Sequence, residues 1–324
     1  MVKAVRVHTY GGPEALVYED VDPGAPGPGQ ARIRQTAVGL NYIDTYHRTG
    51  LYKLPSLPHA LGVEGSGIVE AVGEGVTNVK PGDRICYGSI LGAYAEERIV
   101  PADRLLALPE GISDDVAAGI MLKGMTARYL LRVTYRVQKG DTVLIHAAAG
   151  GVGLIACQWA KHLGATVIGT VGSDEKAELA RAHGCDHPVI YTCESFVDKV
   201  KEVTGGKGVP VVYDSVGKDT WEGSLDCLAV RGMMVSFGNA SGPVAPFSIL
   251  KLSQKGSLFL TRPTLAHYIV TRADYEQTAN DLFGVVKSGA VKIEVNQRYA
   301  FKDVAQAHVD LESRKTTGST VLIP

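Results

Sequence analysis

The chain has no two cysteines close enough in sequence to form a local staple or a metal clip. Its five, Cys86, Cys157, Cys185, Cys193 and Cys227, are odd in number, widely separated and never in a C-x-x-C spacing. That disfavours a disulfide framework and a structural zinc lobe, and reduced thiols are expected. There is no block of basic residues either: 33 Lys and Arg face 34 Asp and Glu for a formal net charge of -1. The electrostatic footprint of a nucleic-acid or anionic-membrane binder is therefore missing, and neither partner is expected. No long hydrophobic run occurs. The most apolar window, VLIHAAAGGVGLIACQWA, is broken by His146, Gln158 and glycines, a strand-turn-helix pattern rather than a bilayer span. The opening MVKAVRVHTYGGPE lacks an apolar h-region and a small-residue cleavage site, so a cytoplasmic location is expected. Repeats and low-complexity tracts are also absent.

What remains is an ordinary globular composition, 45% hydrophobic and 21% charged over 324 residues, a length that predicts two domains. The first hundred or so residues carry short strand-like runs, VKAVRV, ARIRQTAV, GSGIVEAV and DRICYG, separated by GAPGPGQ and VKPGDR. They read as an irregular, mostly-β module. From about Asp115 the texture changes to alternating strands (VLIHA, ATVIGTV, PVIY, VPVVYDS, MMVSFG, SLFLTR) and helical stretches, several stopped by glycine. Six strands with helical crossovers predict a doubly wound parallel sheet. The tail, ADYEQTANDLFGVVKSG to STVLIP, alternates helix and strand without a glycine-rich turn and is expected to return to the first domain. The expected division is 1–124 with 265–324, and 125–264.

The strongest motif is Ala147-Ala148-Ala149-Gly150-Gly151-Val152-Gly153, between the strand VLIH and the helix LIACQWAKHLG. Glycines permit the tight turn and the close approach of a pyrophosphate, which the helix N-terminus then binds through free N–H groups and its positive dipole end. An alanine stands where the first glycine of this pattern usually is. At the end of the next strand an acid would hold a ribose 2′-hydroxyl; Gly172-Ser173 stand there instead, with Lys176 one turn on and Tyr191 ending the following strand. A hydroxyl, an ammonium and a phenol suit a 2′-phosphate, so NADPH is the expected cofactor. Asp174 or Glu175 takes the acid's place if the register shifts by a residue, and Ser173 also reads as a helix N-cap.

HAAAGGVGLIACQWAKHLGATVIGT, GLNYIDTYHRTGLY, VVYDSVG, MVSFGNASG and LESRKTTGSTVLIP resemble the NADPH:quinone oxidoreductases of the zeta-crystallin type, in the medium-chain dehydrogenase/reductase superfamily, over nearly the whole chain. The resemblance implies an α/β protein: a Rossmann doubly wound parallel sheet plus a GroES-like mostly-β catalytic domain. It implies that Asn41, Lys123, Thr126, Gly150, Gly151, Val152, Gly172, Ser173, Lys176, Tyr191, Ser215, Phe237, Gly238, Asn239 and Arg314 hold NADPH. Tyr46, Tyr52 and Arg262 are implied near the nicotinamide and a quinone, and are the expected catalytic residues. Zinc-dependent members of the superfamily carry a cysteine in the segment that reads GLNYIDTY here, and a His-Glu pair in the segment that reads ALGVEG. With Asn41 in the first and Val63 before Glu64 in the second, no metal is expected, because catalytic zinc takes three protein ligands. His59 is expected in a turn beside Pro58, and Glu64 as a buried carboxylate paired with a basic group. The expected activity is zinc-independent reduction of quinones by NADPH. The alternatives are reduction of a conjugated C=C bond in an enone or enal, and a non-catalytic NADPH- or RNA-binding role of the zeta-crystallin kind. A homodimer is expected through the last Rossmann strand, Ser257 to Thr261, whose apolar edge needs a partner.

Overall fold

The structure is a computed structural model that describes residues 1–324. The chain falls into two compact units: Met1–Lys123 with Thr271–Phe283 and Ile293–Pro324, and Gly124–Val270 with Gly284–Lys292. Residues 265–270 and 284–292 thus group with the second unit, not with the returning tail. Local bonds account for this. Tyr268 stacks on Tyr129 with ring centroids 4.4 Å apart, and the backbone N–H of Lys292 donates to Gln158 Oε1 at 2.8 Å.

In the first unit the early segments are β1 (Val2–Val7), β2 (Leu16–Val21), β3 (Gln30–Leu40), α1 (Tyr42–Thr49), β4 (His59–Ala60), β5 (Glu64–Val72), β6 (Arg84–Gly88), β7 (Glu97–Pro101), β8 (Leu106–Ala107) and α2 (Asp114–Tyr129), the last continuing past the unit's end. β1 pairs with β2 and β4 in a small sheet. His59, expected in a turn, pairs instead with Val7 as part of β4. In β3 the residues alternate, Ala31 and Ile33 facing a core that also holds Leu40, Leu61, Ile85, Tyr94 and Phe301; burying each such large side chain contributes about 1.5–3 kcal/mol. Gln35 lies on the same buried face and stays because its Nε2 donates to the carbonyls of Ala93 and Ala95, at 2.5 and 2.6 Å.

The second unit contains β9 (Thr142–Ile145), α3 (Gly151–His162), β10 (Thr166–Val171), α4 (Asp174–Ala182), β11 (His187–Ile190), α5 (Phe196–Thr204), β12 (Val209–Asp214), α6 (Trp221–Asp226), β13 (Leu228–Ser236), α7 (Leu250–Gln254) and β14 (Phe259–Thr261). All six expected strands are present. They form one parallel sheet in the order β11-β10-β9-β12-β13-β14, so the strand order reverses between β9 and β12. The carboxyl ends of the strands at that reversal are where such sheets bind nucleotides. The later elements are α8 (Arg272–Lys287), β15 (Val295–Ala300), α9 (Val304–Glu312) and β16 (Ser319–Ile323). β15 and β16 complete the seven-stranded sheet of the first unit, β15-β16-β3-β5-β6-β8, with β7 on β3. No helix is long and apolar enough to cross a membrane.

A buried polar chain ties α1 to α9. Arg48 Nη1 donates to His308 Nδ1 at 2.9 Å and its Nη2 to Glu312 Oε1 at 2.8 Å. With Nδ1 accepting, His308 Nε2 carries the proton toward the Tyr94 oxygen, 3.2 Å away, and the Tyr94 hydroxyl donates to Asp44 Oδ2 at 2.9 Å. Burial, reinforced by the Arg48 charge, pushes the His308 imidazolium down to about 3. Burial pushes the Asp44 carboxyl up to about 7, against the pull of the Asn41 N–H, the Tyr94 hydroxyl and Lys123. The two groups act oppositely on stability. Neutral His308 stabilises fully above about pH 6.5 and loses that contribution as pH falls toward 3. Neutral Asp44 stabilises below about 3.8 and loses its contribution as pH rises through 7. The slopes cancel across the window they share. Asp44→Asn removes one of them, so the variant loses stability from pH 6.5 to 4.5 more steeply than the parent, by up to ~1.4 kcal/mol per pH unit. Chemical denaturation at a series of pH values measures this, and parallel stability curves would refute it.

Candidate active site

In the second unit the glycine turn is built as the sequence requires. Gly150 caps α3, and a Cβ on Gly153 would lie 2.2 Å from the Ala147 carbonyl oxygen and 2.7 Å from that of Ala148. Only hydrogen fits there. Ala147 itself takes a left-handed φ of 54°, a conformation that costs an alanine about 1–2 kcal/mol and turns the chain from β9 toward α3. The first-turn N–H groups of α3, those of Gly151, Val152 and Gly153, have no partner one turn back within the helix and suit an anion. The residues present therefore fit a pyrophosphate.

At the end of β10, Gly172 leads into α4, which Ser173 caps by accepting from the Lys176 N–H at 3.4 Å. The capping reading of Ser173 thus holds in the structure. A Cβ on Gly172 would lie 3.0 Å from the Tyr191 hydroxyl, so the phenol stands close over this strand end. Asp174 and Glu175 open α4 in its first turn, and the strand ends in Val171 without an acid.

Strand ends β12 and β13 meet next to the reversal. The Gly238 Cβ position lies 2.3 Å from the Ser215 carbonyl oxygen, and the Ala240 N–H donates to that oxygen at 3.2 Å. Arg262 Nη1 donates to the Ser236 carbonyl at 2.8 Å, and its Nη2 donates to the Asn239 side-chain oxygen at 2.9 Å while the Asn239 amide nitrogen donates to Gly238 O. Ser215, Phe237, Gly238, Asn239 and Arg262 are thereby brought together. Thr126 bonds Tyr129, whose phenol is raised by burial and pulled back by the Arg262 charge.

The carboxylate of Asp214 holds this corner from below. Its Oδ1 accepts from the N–H groups of Val216 and Gly217 at 2.8 and 3.0 Å, and its Oδ2 from Thr220 and Ser224 hydroxyls at 2.7 and 3.0 Å. With its proton given to Asp214, Ser224 accepts from His146 Nε2, and His146 Nδ1 accepts from Thr170, each at 2.9 Å. A serine, a histidine and an aspartate are adjacent here, but the serine proton goes to the aspartate, so this is a fastening network and not a nucleophile with its base.

In the first unit, Asn41 is the N-cap of α1, and Asp44 reaches back to its N–H at 2.8 Å. Tyr46, one turn on, meets Tyr52 edge-on with centroids 5.2 Å apart, and Tyr42 stands 6.1 Å from Tyr46. Tyr42's phenol is raised by burial, with the Arg314 charge opposing, which places Arg314 beside α1. Glu64 is fully buried. Its Oε1 accepts from Lys123 Nζ at 2.6 Å and from Asn41 Nδ2 at 2.8 Å, and its Oε2 from the Leu122 N–H at 2.5 Å. Glu64 is thus paired with a base, as expected. The donor set does not fit zinc: no three His, Cys, Asp or Glu side chains cluster, and the one carboxylate at this place is held by an ammonium. Sequence reasoning missed Asp44 and Asp214. The first had a signal in Asn41-x-x-Asp44, the spacing of a capping box; the second had only an aspartate ending a strand.

Residues 27–110 match the family described as alcohol dehydrogenase GroES-like domain, and residues 151–284 the family described as zinc-binding dehydrogenase. The chain is 55% identical to a quinone oxidoreductase of Pseudomonas aeruginosa over all of both chains. It is 49% identical to a 2-haloacrylate reductase of a Burkholderia species, covering all of this chain and 99% of that one. The crystal structure of Escherichia coli quinone oxidoreductase complexed with NADPH superposes with a TM-score of 0.98 at 50% identity, over 99% of this chain and 100% of the other.

Gly153→Ala tests the cradle. The added methyl has no space beside the Ala147 carbonyl, so the variant is expected to lose about 1–3 kcal/mol of stability and to bind NADPH more weakly. Thermal unfolding with and without NADPH measures both, and a variant that melts and binds like the parent would contradict the geometry.

Proposed function

The chain belongs to the quinone oxidoreductases of the medium-chain dehydrogenase/reductase superfamily, and from that premise we propose how its residues divide the work of reducing a quinone with NADPH. NADPH supplies the reducing equivalents when bound. Residues 125–264 carry most of the dinucleotide. The Gly150-Gly151-Val152 turn takes the pyrophosphate, with the open N–H groups of Gly151 and Val152 as donors, Gly172, Ser173, Lys176 and Tyr191 take the 2′-phosphate, and Thr126, Ser215, Phe237, Gly238 and Asn239 the part beyond. Asn41, Lys123 and Arg314 are the further residues assigned to NADPH. Tyr46 and Tyr52 hold a flat acceptor with their ring faces, and with Arg262 they stabilise the negative charge that develops on its oxygen.

The observation that carries the metal-free reading is the Glu64–Lys123 pair at 2.6 Å. The carboxylate that another member of the superfamily would offer to zinc is here neutralised by an ammonium, so charge on the acceptor oxygen falls to hydrogen bonds and to Arg262. A second reading, reduction of a conjugated C=C bond, is favoured by the relative named 2-haloacrylate reductase; the same polar groups serve an enolate oxygen as well as a quinone oxygen.

The test is NADPH oxidation by the purified protein in the presence of a zinc chelator, with 1,4-benzoquinone, an enone and 2-chloroacrylate as acceptors and NADH in parallel. Chelator-resistant turnover of the quinone is expected. Turnover of the unsaturated acceptors alone would move the assignment to the second reading. Lys176→Ala is expected to raise KM for NADPH about tenfold or more, the worth of one charge-assisted hydrogen bond, and to leave NADH unaffected; an equal effect on both cofactors would sink the 2′-phosphate assignment.

A cytoplasmic homodimer is part of the same reading. β14 is the edge of the parallel sheet, with Phe259 57% and Leu260 37% exposed, a row of open backbone groups and apolar side chains that a twofold copy pairs and covers. Light scattering at micromolar concentration is expected to give twice the chain mass, and Leu260→Lys to halve it; a monomeric parent protein would overturn this.

A further inference from the structure

The geometry points to Glu64 as a positioning residue of the reductase: a buried carboxylate whose function is to orient the Asn41 amide and the Lys123 ammonium toward the cofactor. This rests on the assignment of Asn41 and Lys123 to NADPH given above.

Three separate elements converge on this one side chain. Asn41 comes from the start of α1, Lys123 and Leu122 from α2, and Glu64 is the first residue of β5. All three hydrogen bonds lie between 2.5 and 2.8 Å. The Asn41 amide nitrogen has one further contact, the Gly39 carbonyl at 3.5 Å, so it is committed to the protein and the orientation of the amide plane follows. Lys123 is 6% exposed. An ammonium with that little access to water keeps its charge and its place only beside a counterion, and a single bond to Glu64 leaves two further N–H donors available to a ligand.

The fold also reserves the space. At Gly39 a Cβ would lie 2.2 Å from Glu64 Oε1 and 2.5 Å from its Cδ. Any side chain at 39 would therefore expel the carboxylate from where it meets the two ligand-holding groups. A neutral amide in place of the carboxylate cannot substitute, because its NH2 would face at least one of three donors, and the buried ammonium would lose its counterion. A packing role alone requires neither the charge nor the convergence of donors.

Glu64→Asp keeps the charge in its cavity and withdraws the carboxylate by one methylene, so it separates positioning from folding better than Glu64→Gln, which leaves Lys123 unpaired. NADPH dissociation constants by fluorescence titration, kcat and KM with 1,4-benzoquinone, and thermal unfolding are measured for Glu64→Asp, Lys123→Met, Asn41→Ala and the Glu64→Asp/Lys123→Met pair. The expected result is a Glu64→Asp protein that melts near the parent yet has kcat/KM lower by at least ~10-fold, the scale on which small misplacements of reacting groups act. Lys123→Met is then expected to cost several-fold less in that background than in the parent, because the two changes remove one arrangement. Parental kinetics in Glu64→Asp, with Lys123→Met and Asn41→Ala both impaired, would overturn the positioning role while leaving the cofactor assignment intact. Lys123→Met and Asn41→Ala proteins that bind and turn over NADPH like the parent would overturn the cofactor assignment itself, and the role of Glu64 with it.

Discussion

A carboxylate with no access to water is the constraint around which the first unit is organised. Burying Glu64 is unfavourable by several kcal/mol unless its lone pairs are filled and its charge is met. The fold meets it with Lys123, the Leu122 N–H and the Asn41 amide. That requirement decides the residue at Gly39, where nothing larger than hydrogen can stand beside the carboxylate, and it fixes the start of α1 relative to α2. The helix carrying Tyr42 and Tyr46 and the lysine assigned to the cofactor therefore share one anchor.

The second unit solves a related problem with neutral partners. Asp214, also fully buried, ends β12 and accepts four hydrogen bonds from two N–H groups and two hydroxyls, with no cation. Fully satisfied, such a carboxylate rigidifies the loop that supplies its donors. That loop begins at Ser215, and the Gly238 strand end packs against Ser215 so closely that a Cβ would overlap its carbonyl. Asn41 and Lys123 in the first unit bond directly to one buried polar network, and Ser215 in the second stands next to the other. Such networks keep side chains and backbone groups on loops within the small tolerances that positioning of reacting groups needs.

The fold was legible where period and punctuation agreed. The six Rossmann strands and the Gly150-Gly151 turn follow from apolar runs of strand length stopped by glycine. The site was legible where a residue's type and place settle its local role, as with Ser173 capping α4 and Glu64 as a buried carboxylate paired with a base. It was not legible where partners are distant in sequence. Nothing near Glu64 announces Lys123, 59 positions on, and His308 meets Arg48 across 260 positions. The β4 strand at His59 was missed because two residues beside a proline carry no period, and the grouping of 284–292 with the second unit because it rests on one glutamine, Gln158, bonding the Lys292 backbone.

The ionisation states of the buried acids follow from the same arrangement. Asp44 and Glu64 lie near a single lysine: the Lys123 charge pulls the Asp44 carboxyl down and the Glu64 charge pushes it up. The ammonium is hydrogen-bonded to Glu64, not to Asp44, and one buried cation cannot compensate two buried anions at low dielectric. Burial is the largest influence on Asp44 and raises its carboxyl to about 7, with the Glu64 charge adding a smaller push in the same direction.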